Sequence, residues 1–235
     1  MEVKRYEQSD LDRYLKNDFV LKELEKYPED FCFASQNWFK NIPAKRMIYA
    51  DVYNELLNSK GKKILDVGGG FCSLSRKLIE NHDYTLLDIM TRDDHDKLKA
   101  FELKTKPFWK NLDWAEFIPE GTYDYIIASD IFPNVDQRLE KFLRKFKPYA
   151  KKIVLTLTCY DKKSILADFF ERTVQVLHSK LKRVDADKLI FVRAPDTEAT
   201  NKILKTCIGE NFPALQTSAD SLFKNGRIVY KVILG

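Results

Sequence analysis

The stretch Ile64-Leu65-Asp66-Val67-Gly68-Gly69-Gly70-Phe71-Cys72-Ser73 decides how the rest of the chain is read. Ile64 to Val67 is a short apolar run of strand type, Leu74 and Leu78 follow at helical spacing, and three glycines stand between the two patterns. A strand that ends in glycine and turns into a helix lets a ligand approach the backbone, because glycine has no Cβ in the way. The N–H groups of the helix's first turn have no partner within the helix and face the same space. Asp66, Gly68, Gly69 and Gly70 are therefore the first candidate binding residues.

The alternation continues outward from this turn. Tyr84 to Asp88, Tyr123 to Ala128 and Lys152 to Thr158 are β-rich apolar runs, and Leu139, Phe142, Leu143 and Phe146 mark an amphipathic helix. A helix over residues 163–181, a run at Leu189–Val192, a helix near Ala199–Ile208 and a closing strand at Arg227–Leu234 complete the pattern, with a weaker strand signal near Phe117. Short strands alternating with helices predict a doubly wound, mostly parallel, Rossmann-like α/β sheet covered on both faces. Residues 1–58 differ in style and are expected to form an N-terminal helical flap on a domain spanning 59–235. One helix is expected from Ser9 to Glu25, with Ser9 and Asp12 as its capping box and Leu11, Leu15 and Phe19 as its stripe. A second starts at Pro43, and an aromatic connection (Phe31, Phe33, Trp38, Phe39) joins them.

Two ligand classes compete for the glycine turn. A dinucleotide fingerprint needs G-x-G-x-x-G, and Ser73 stands at its last position. An acidic residue two before the first glycine, followed by G-x-G, resembles the first motif of the class I S-adenosylmethionine-dependent methyltransferases, with Cys72 in place of the family's usual third glycine. Asp66 suits that choice, since adenosylmethionine is cationic at its amino group and sulfur, whereas a carboxylate beside a pyrophosphate is a liability. Asp88 ends the next strand, twenty-two residues after Asp66, where a carboxylate can accept both ribose hydroxyls of either ligand, or cap the helix that follows.

Asn111-Leu112-Asp113-Trp114 is similar to the family's third motif, and the resemblance implies that Asp113 meets the adenine amino group while Trp114 offers its backbone N–H or covers the ring. The strand ending Ala128-Ser129-Asp130-Ile131 resembles the fourth motif. Ile89 and Ser129, beside these strand ends, complete the expected cofactor set, and Asp130 is the candidate base beside the methyl position. The resemblance spans residues 62–158 and implies S-adenosylmethionine as cofactor, with a hydroxyl (or amine) of a small metabolite or sugar as expected acceptor. An RNA or protein methyltransferase, an NAD-dependent oxidoreductase and a catalytically silent protein of the same fold are the alternatives.

Composition bounds these expectations. The 235 residues are 44% hydrophobic and 13% aromatic, enough for a core and too apolar for a disordered chain. Forty basic and 35 acidic residues give a net charge of +5, which is compatible with an anionic partner without requiring one. The basic runs around Lys141–Lys147 and Lys180–Arg183 read as ordinary solvated faces, so nucleic acid is the disfavoured partner. No apolar run nears the ~20 residues of a membrane span, and the polar start does not read as a signal peptide. Cys32, Cys72, Cys159 and Cys207 form no C-x-x-C, so a reduced, cytoplasmic protein is expected. Asp93, Asp94, His95 and Asp96 look metal-like, but consecutive residues point apart, and a charge-compensated helix start is the better reading, leaving no metal site expected. His82 and His178 read as packing or surface residues.

Overall fold

The computed structural model describes residues 1–90, 93–133, 135–160, 197–216, 222 and 227–235. The expected helix over 163–181, the run at 189–192, His178 and the basic run at 180–183 lie outside the described residues.

Seven strands form one sheet: β1 (Glu2–Arg5), β2 (Lys63–Val67), β3 (Asp83–Leu87), β4 (Trp109–Lys110), β5 (Tyr123–Ser129), β6 (Ala150–Tyr160) and β7 (Arg227–Leu234). Their order is β1-β7-β6-β5-β2-β3-β4. Strands β2 to β6 run parallel, with β2 between β3 and β5 (Ile64 opposite Tyr84 and Tyr125), while β7 pairs antiparallel with β6 and β1 antiparallel with β7. This is the doubly wound, Rossmann-like α/β class expected from the alternation. The order reverses between β2 and β5, and in such sheets a crevice opens beyond the carboxyl ends of the strands at that point. The glycine turn follows β2 there, and Asp130 follows β5.

The helices are α1 (Gln8–Leu15), α2 (Phe19–Leu24), α3 (Ala34–Asn41), α4 (Pro43–Leu57), α5 (Ser73–Asn81), α6 (His95–Lys104), α7 (Leu139–Phe146) and α8 (Thr197–Ile208). Two apolar clusters form the core. One gathers Tyr6, Val20, Leu24, Phe33, Tyr53 and Phe71 with Ile64 and Leu86 of the sheet. The other packs Phe132, Phe142 and Phe146 with Leu65, Ile126 and Leu155. Helix α7 buries Leu139, Phe142, Leu143 and Phe146, the i, i+3, i+4, i+7 face read in its sequence.

Several elements differ from expectation. The helix expected from Ser9 to Glu25 is two helices, because the Asp18 carboxylate accepts the Leu21 N–H at 3.1 Å and restarts the helix there. The same carboxylate pairs with the buried Arg46 guanidinium at 2.6 Å, a partner that no local pattern announces. The capping box of α1 joins Glu7 and Asp10 instead of Ser9 and Asp12, and Leu15 is exposed. The aromatic connection folds as a 3-10 turn over Pro28–Cys32, which holds Phe31, followed by α3, which Phe33 precedes and which holds Trp38 and Phe39. Phe117 is buried just after a turn, in no strand, and the two-residue strand at Trp109–Lys110 pairs with β3 in its place.

Residues 1–58 share the core and the sheet: β1 lies along β7, and Tyr6 donates its N–H to the Val229 carbonyl at 3.0 Å. Leu24→Ala, a fully buried truncation in α2, should therefore lower global stability by ~2–5 kcal/mol. A single cooperative urea transition at lower midpoint is expected; an unchanged main transition with a separate early phase would mean the segment folds independently.

Candidate ligand site at the switch point

The site is built on a buried carboxyl. Asp66, at 2% exposure, has Oδ2 accepting the hydroxyl hydrogens of Tyr53 and Tyr84, each at 2.8 Å, and its Oδ1 has no hydrogen-bond partner among the described residues. Burial, opposed by those hydroxyls and reinforced by the nearby Asp88 charge, pushes its pKa up to about 7. Burial also drives the tyrosines well above their ordinary range, so both hydroxyls remain donors.

The glycine turn lies directly over this carboxyl. A Cβ on Gly69 would meet all three Asp66 carboxyl atoms at 2.5–2.6 Å. Gly68 and Gly70 have φ of +65° and +64°, and a Cβ there would strike Ile131 Cδ1 and Ser35 Oγ, each at 1.9 Å. All three glycines are thus required, each by a different neighbour. Cys72 needs no glycine: its backbone is extended (φ −149°), it caps α5, and its N–H donates to Ser75 Oγ at 3.2 Å. That explains why the departure at this position is tolerated.

Asp88 closes the turn from the β3 side. Its Oδ2 accepts the Gly70 N–H at 3.0 Å and its Oδ1 the Met90 N–H at 2.8 Å, while burial raises its pKa. It does not cap α6; Asp94 does, accepting from Asp96 and Lys97. Among the described residues each Asp88 oxygen retains one acceptor position, as binding two hydroxyls requires. Ile89 beside it is about half exposed, at 48%.

Asp113 and Trp114 play different parts. Asp113 is half-exposed, accepts the Ala115 N–H at 2.7 Å, and pairs with Arg138 at 2.9 Å. Burial works to raise its pKa, but the Arg138 and Ala115 hydrogen bonds prevail and hold it below the usual carboxylate range. The Trp114 ring is buried against Phe132 and Phe142, and its Nε1 donates to Asp136 at 2.8 Å. The ring therefore belongs to the core and does not cover a base, which leaves Trp114 its backbone as the group to offer a ligand.

Beyond β5, Ser129 Oγ is 3.0 Å from Thr156 Oγ1. Asp130 sits in the left-handed region (φ 60°), its N–H donating to Thr156 Oγ1 at 2.7 Å. Its carboxylate accepts from Lys45 Nζ at 2.7 Å and from Thr158 Oγ1 at 3.1 Å. Lys45, in the first turn of α4, also lies 5.0 Å from the Trp38 ring centroid. Lys45 was not legible as a site residue, because its partner is 85 positions away.

Helix α3 comes over the glycine turn. Gln36 is fully buried, accepts the Ser73 N–H at 2.9 Å and donates to Ser73 Oγ at 2.6 Å and to the Leu24 carbonyl at 3.1 Å. The Ala34 N–H donates to Asp93 at 2.6 Å. The N-terminal segment thus contacts the rims beyond both β3 and β5. Among the described residues no three His, Cys, Asp or Glu side chains gather as a metal site, and no helix is long and apolar enough to cross a membrane. His82 is buried, accepting the Lys62 N–H on Nδ1, so its Nε2 carries the hydrogen donated to the Leu56 carbonyl at 2.8 Å.

No family model and no curated protein matches the sequence. Solved structures do. The N-methyltransferase NodS from Bradyrhizobium japonicum WM9 with S-adenosyl-L-homocysteine is 12% identical, covering 89% of this chain and 96% of its own at a TM-score of 0.51. The magnesium protoporphyrin IX methyltransferase ChlM from Synechocystis PCC 6803 with bound SAM is 19% identical over 94% and 96% of the two chains (TM-score 0.47). The [4+2]-cyclase SpnF is 11% identical over 72% and 57% (TM-score 0.45). At this identity the likeness to NodS establishes fold: the chain has the α/β fold of the class I S-adenosylmethionine-dependent methyltransferases.

The buried carboxyl makes a pH prediction. Native Asp66 keeps its proton to about pH 7, whereas the unfolded chain loses it near 3.8. Its contribution to stability is therefore present at low pH and is lost as pH rises between those values. Asp66→Asn, which cannot ionise, should remove that loss, on the order of 2–3 kcal/mol between pH 5 and 7.5. Urea midpoints of both proteins at the two pH values measure it; an identical pH dependence would contradict the assigned titration.

Proposed function

We propose that this chain is an S-adenosylmethionine-dependent methyltransferase acting on a hydroxyl or amine of a small metabolite or sugar. The observation that carries the reading is the pair of carboxyl groups around the turn. A buried Asp66 Oδ1 with no partner among the described residues lies beneath Gly69 and Asp88 closes the loop, while the Ser73 N–H at the start of α5 is already given to Gln36. Two acidic groups and an engaged helix N–H suit a cationic nucleoside and oppose a pyrophosphate.

The donor set fits this group. Gly68, Gly69 and Gly70 leave a cradle that side chains would fill, Asp66 places beneath it a buried carboxyl whose ionisation a bound cation would favour, and Asp88 has, among the described residues, an acceptor position on each oxygen for the two ribose hydroxyls. Ile89 offers an apolar face to the base, Asp113 an acceptor, Trp114 its backbone, and Ser129 a hydroxyl at the end of β5. When bound, S-adenosylmethionine supplies a methyl already activated on a positively charged sulfur.

What the chain must add is placement and exclusion of water. Asp130 is proposed to meet the acceptor's proton. Its hydrogen bonds with Lys45 and Thr158 fix its direction, so it is placed to orient an O–H or N–H. Residues 1–58 are proposed as the cover. They reach Asp93 on one side of the crevice and Asp130 on the other, and Trp38 extends this wall beside Lys45.

Calorimetry with adenosylmethionine, adenosylhomocysteine and NAD in parallel tests the reading. The first two should bind and NAD should not. Asp88→Ala should weaken both by at least about ten- to a hundredfold, since it removes the expected charge-assisted contact to the ribose as well as the Gly70 and Met90 anchors. Binding of NAD alone, or an unchanged affinity in folded Asp88→Ala, would refute it.

A further inference from the structure

Arg138 immediately precedes α7 and binds two carboxylates at once. Its Nη1 and Nη2 donate to Oδ1 and Oδ2 of Asp113 at 3.2 and 2.9 Å. Its Nε donates to both oxygens of Asp136 at 3.0 and 3.1 Å, and Nη2 to Oδ2 at 2.6 Å. The guanidinium carbon stands 4.6 Å from the Trp114 ring centroid, and that indole donates to Asp136. The result is a closed ring of three side chains, Arg138, Asp136 and Trp114, with Asp113 held on it through Arg138, and it links the loop after β4 to the loop after β5. The indole is buried in the core, so the ring has a rigid base.

The acceptor count on Asp113 gives this ring a consequence. An ionised carboxylate has about four acceptor positions, two on each oxygen. Oδ1 takes the Ala115 N–H and Arg138 Nη1, and Oδ2 takes Arg138 Nη2. Among the described residues one position on Oδ2 is left, and three hydrogen bonds prevent the carboxylate from rotating to offer another. A group in that state accepts one N–H in one direction and repels a carbonyl oxygen placed there.

We propose that Arg138 is a positioning residue that sets base specificity, holding Asp113 so that its one remaining acceptor takes a purine carrying an exocyclic amine and rejects one carrying a carbonyl at that position. This rests on the cofactor reading above, with the base at Asp113. Both members of the pair are partly exposed, at 42% and 37% of their side chains, and exposed ion pairs contribute little to folding. Losing the pair should therefore change recognition more than stability.

The test compares dissociation constants for S-adenosylhomocysteine and S-inosylhomocysteine, which differ at the 6-amino group, by calorimetry. Wild type should prefer the adenosyl ligand at least about tenfold, the scale of one charge-assisted hydrogen bond. In Arg138→Met the preference should collapse to about threefold or less, and any fall in melting temperature should match the variant's lost pairing with the more buried Asp136. Asp136→Asn, which loosens Arg138 from its other side and leaves Asp113 intact, should reduce the preference in the same direction, and it carries the test if Arg138→Met does not fold. Equal weakening of both ligands, with the preference retained, would overturn the proposal by making Arg138 merely structural. If wild type binds neither ligand, the cofactor reading fails and this proposal with it; if wild type binds both without preference, the cofactor reading stands and this proposal alone fails.

Discussion

The contact between the Asp66 carboxyl and the backbone of Gly69 is the constraint from which the rest of the site follows. With a Cβ at Gly69 placed 2.5–2.6 Å from that carboxyl, the turn and the acid cannot coexist with any other residue there. The acid is tolerable in the core because Tyr53 of α4 and Tyr84 of β3 each donate a hydroxyl hydrogen to it. Three elements therefore meet at one side chain, and the turn they support opens at the point where the strand order reverses.

The N-terminal residues belong to the same construction. Tyr53 reaches Asp66, Ser35 abuts Gly70, Gln36 satisfies the start of α5, and Lys45 pairs with Asp130. A segment with these four connections fixes the shape of the crevice on both sides of the reversal. The fold likeness to methyltransferase structures supplies the frame, and folds of this kind host varied chemistry. The chemistry here is argued from the acids around the turn.

Much of this architecture was legible because it depends on local pattern. The strands before and after the glycines and the α7 stripe follow from apolar spacing or turn residues, and the helix expected near Ala199–Ile208 follows from a connection too long for a simple loop. The parts that were not legible depend on partners far along the chain. Asp18 divides the first helix with help from Arg46, Trp114 turns inward because Phe132 and Phe142 await it, and Lys45 meets Asp130 across 85 positions. Arg138 and Asp113 are closer, 25 positions apart, yet nothing in either local pattern announces their pairing. Asp66 was recognisable as an acid suited to a cation; its burial, which pushes its pKa up to about 7, required the tertiary neighbours.

A crystal structure with adenosylhomocysteine tests the central claim most directly, that the acids around the glycine turn form a nucleoside site at the strand reversal. The account predicts the amino-acid end of the ligand over Gly68–Gly70, the ribose hydroxyls on Asp88, and the base between Ile89 and Asp113. A ligand bound elsewhere on the chain, or one whose ribose avoids Asp88 in the presence of an intact turn, would contradict it.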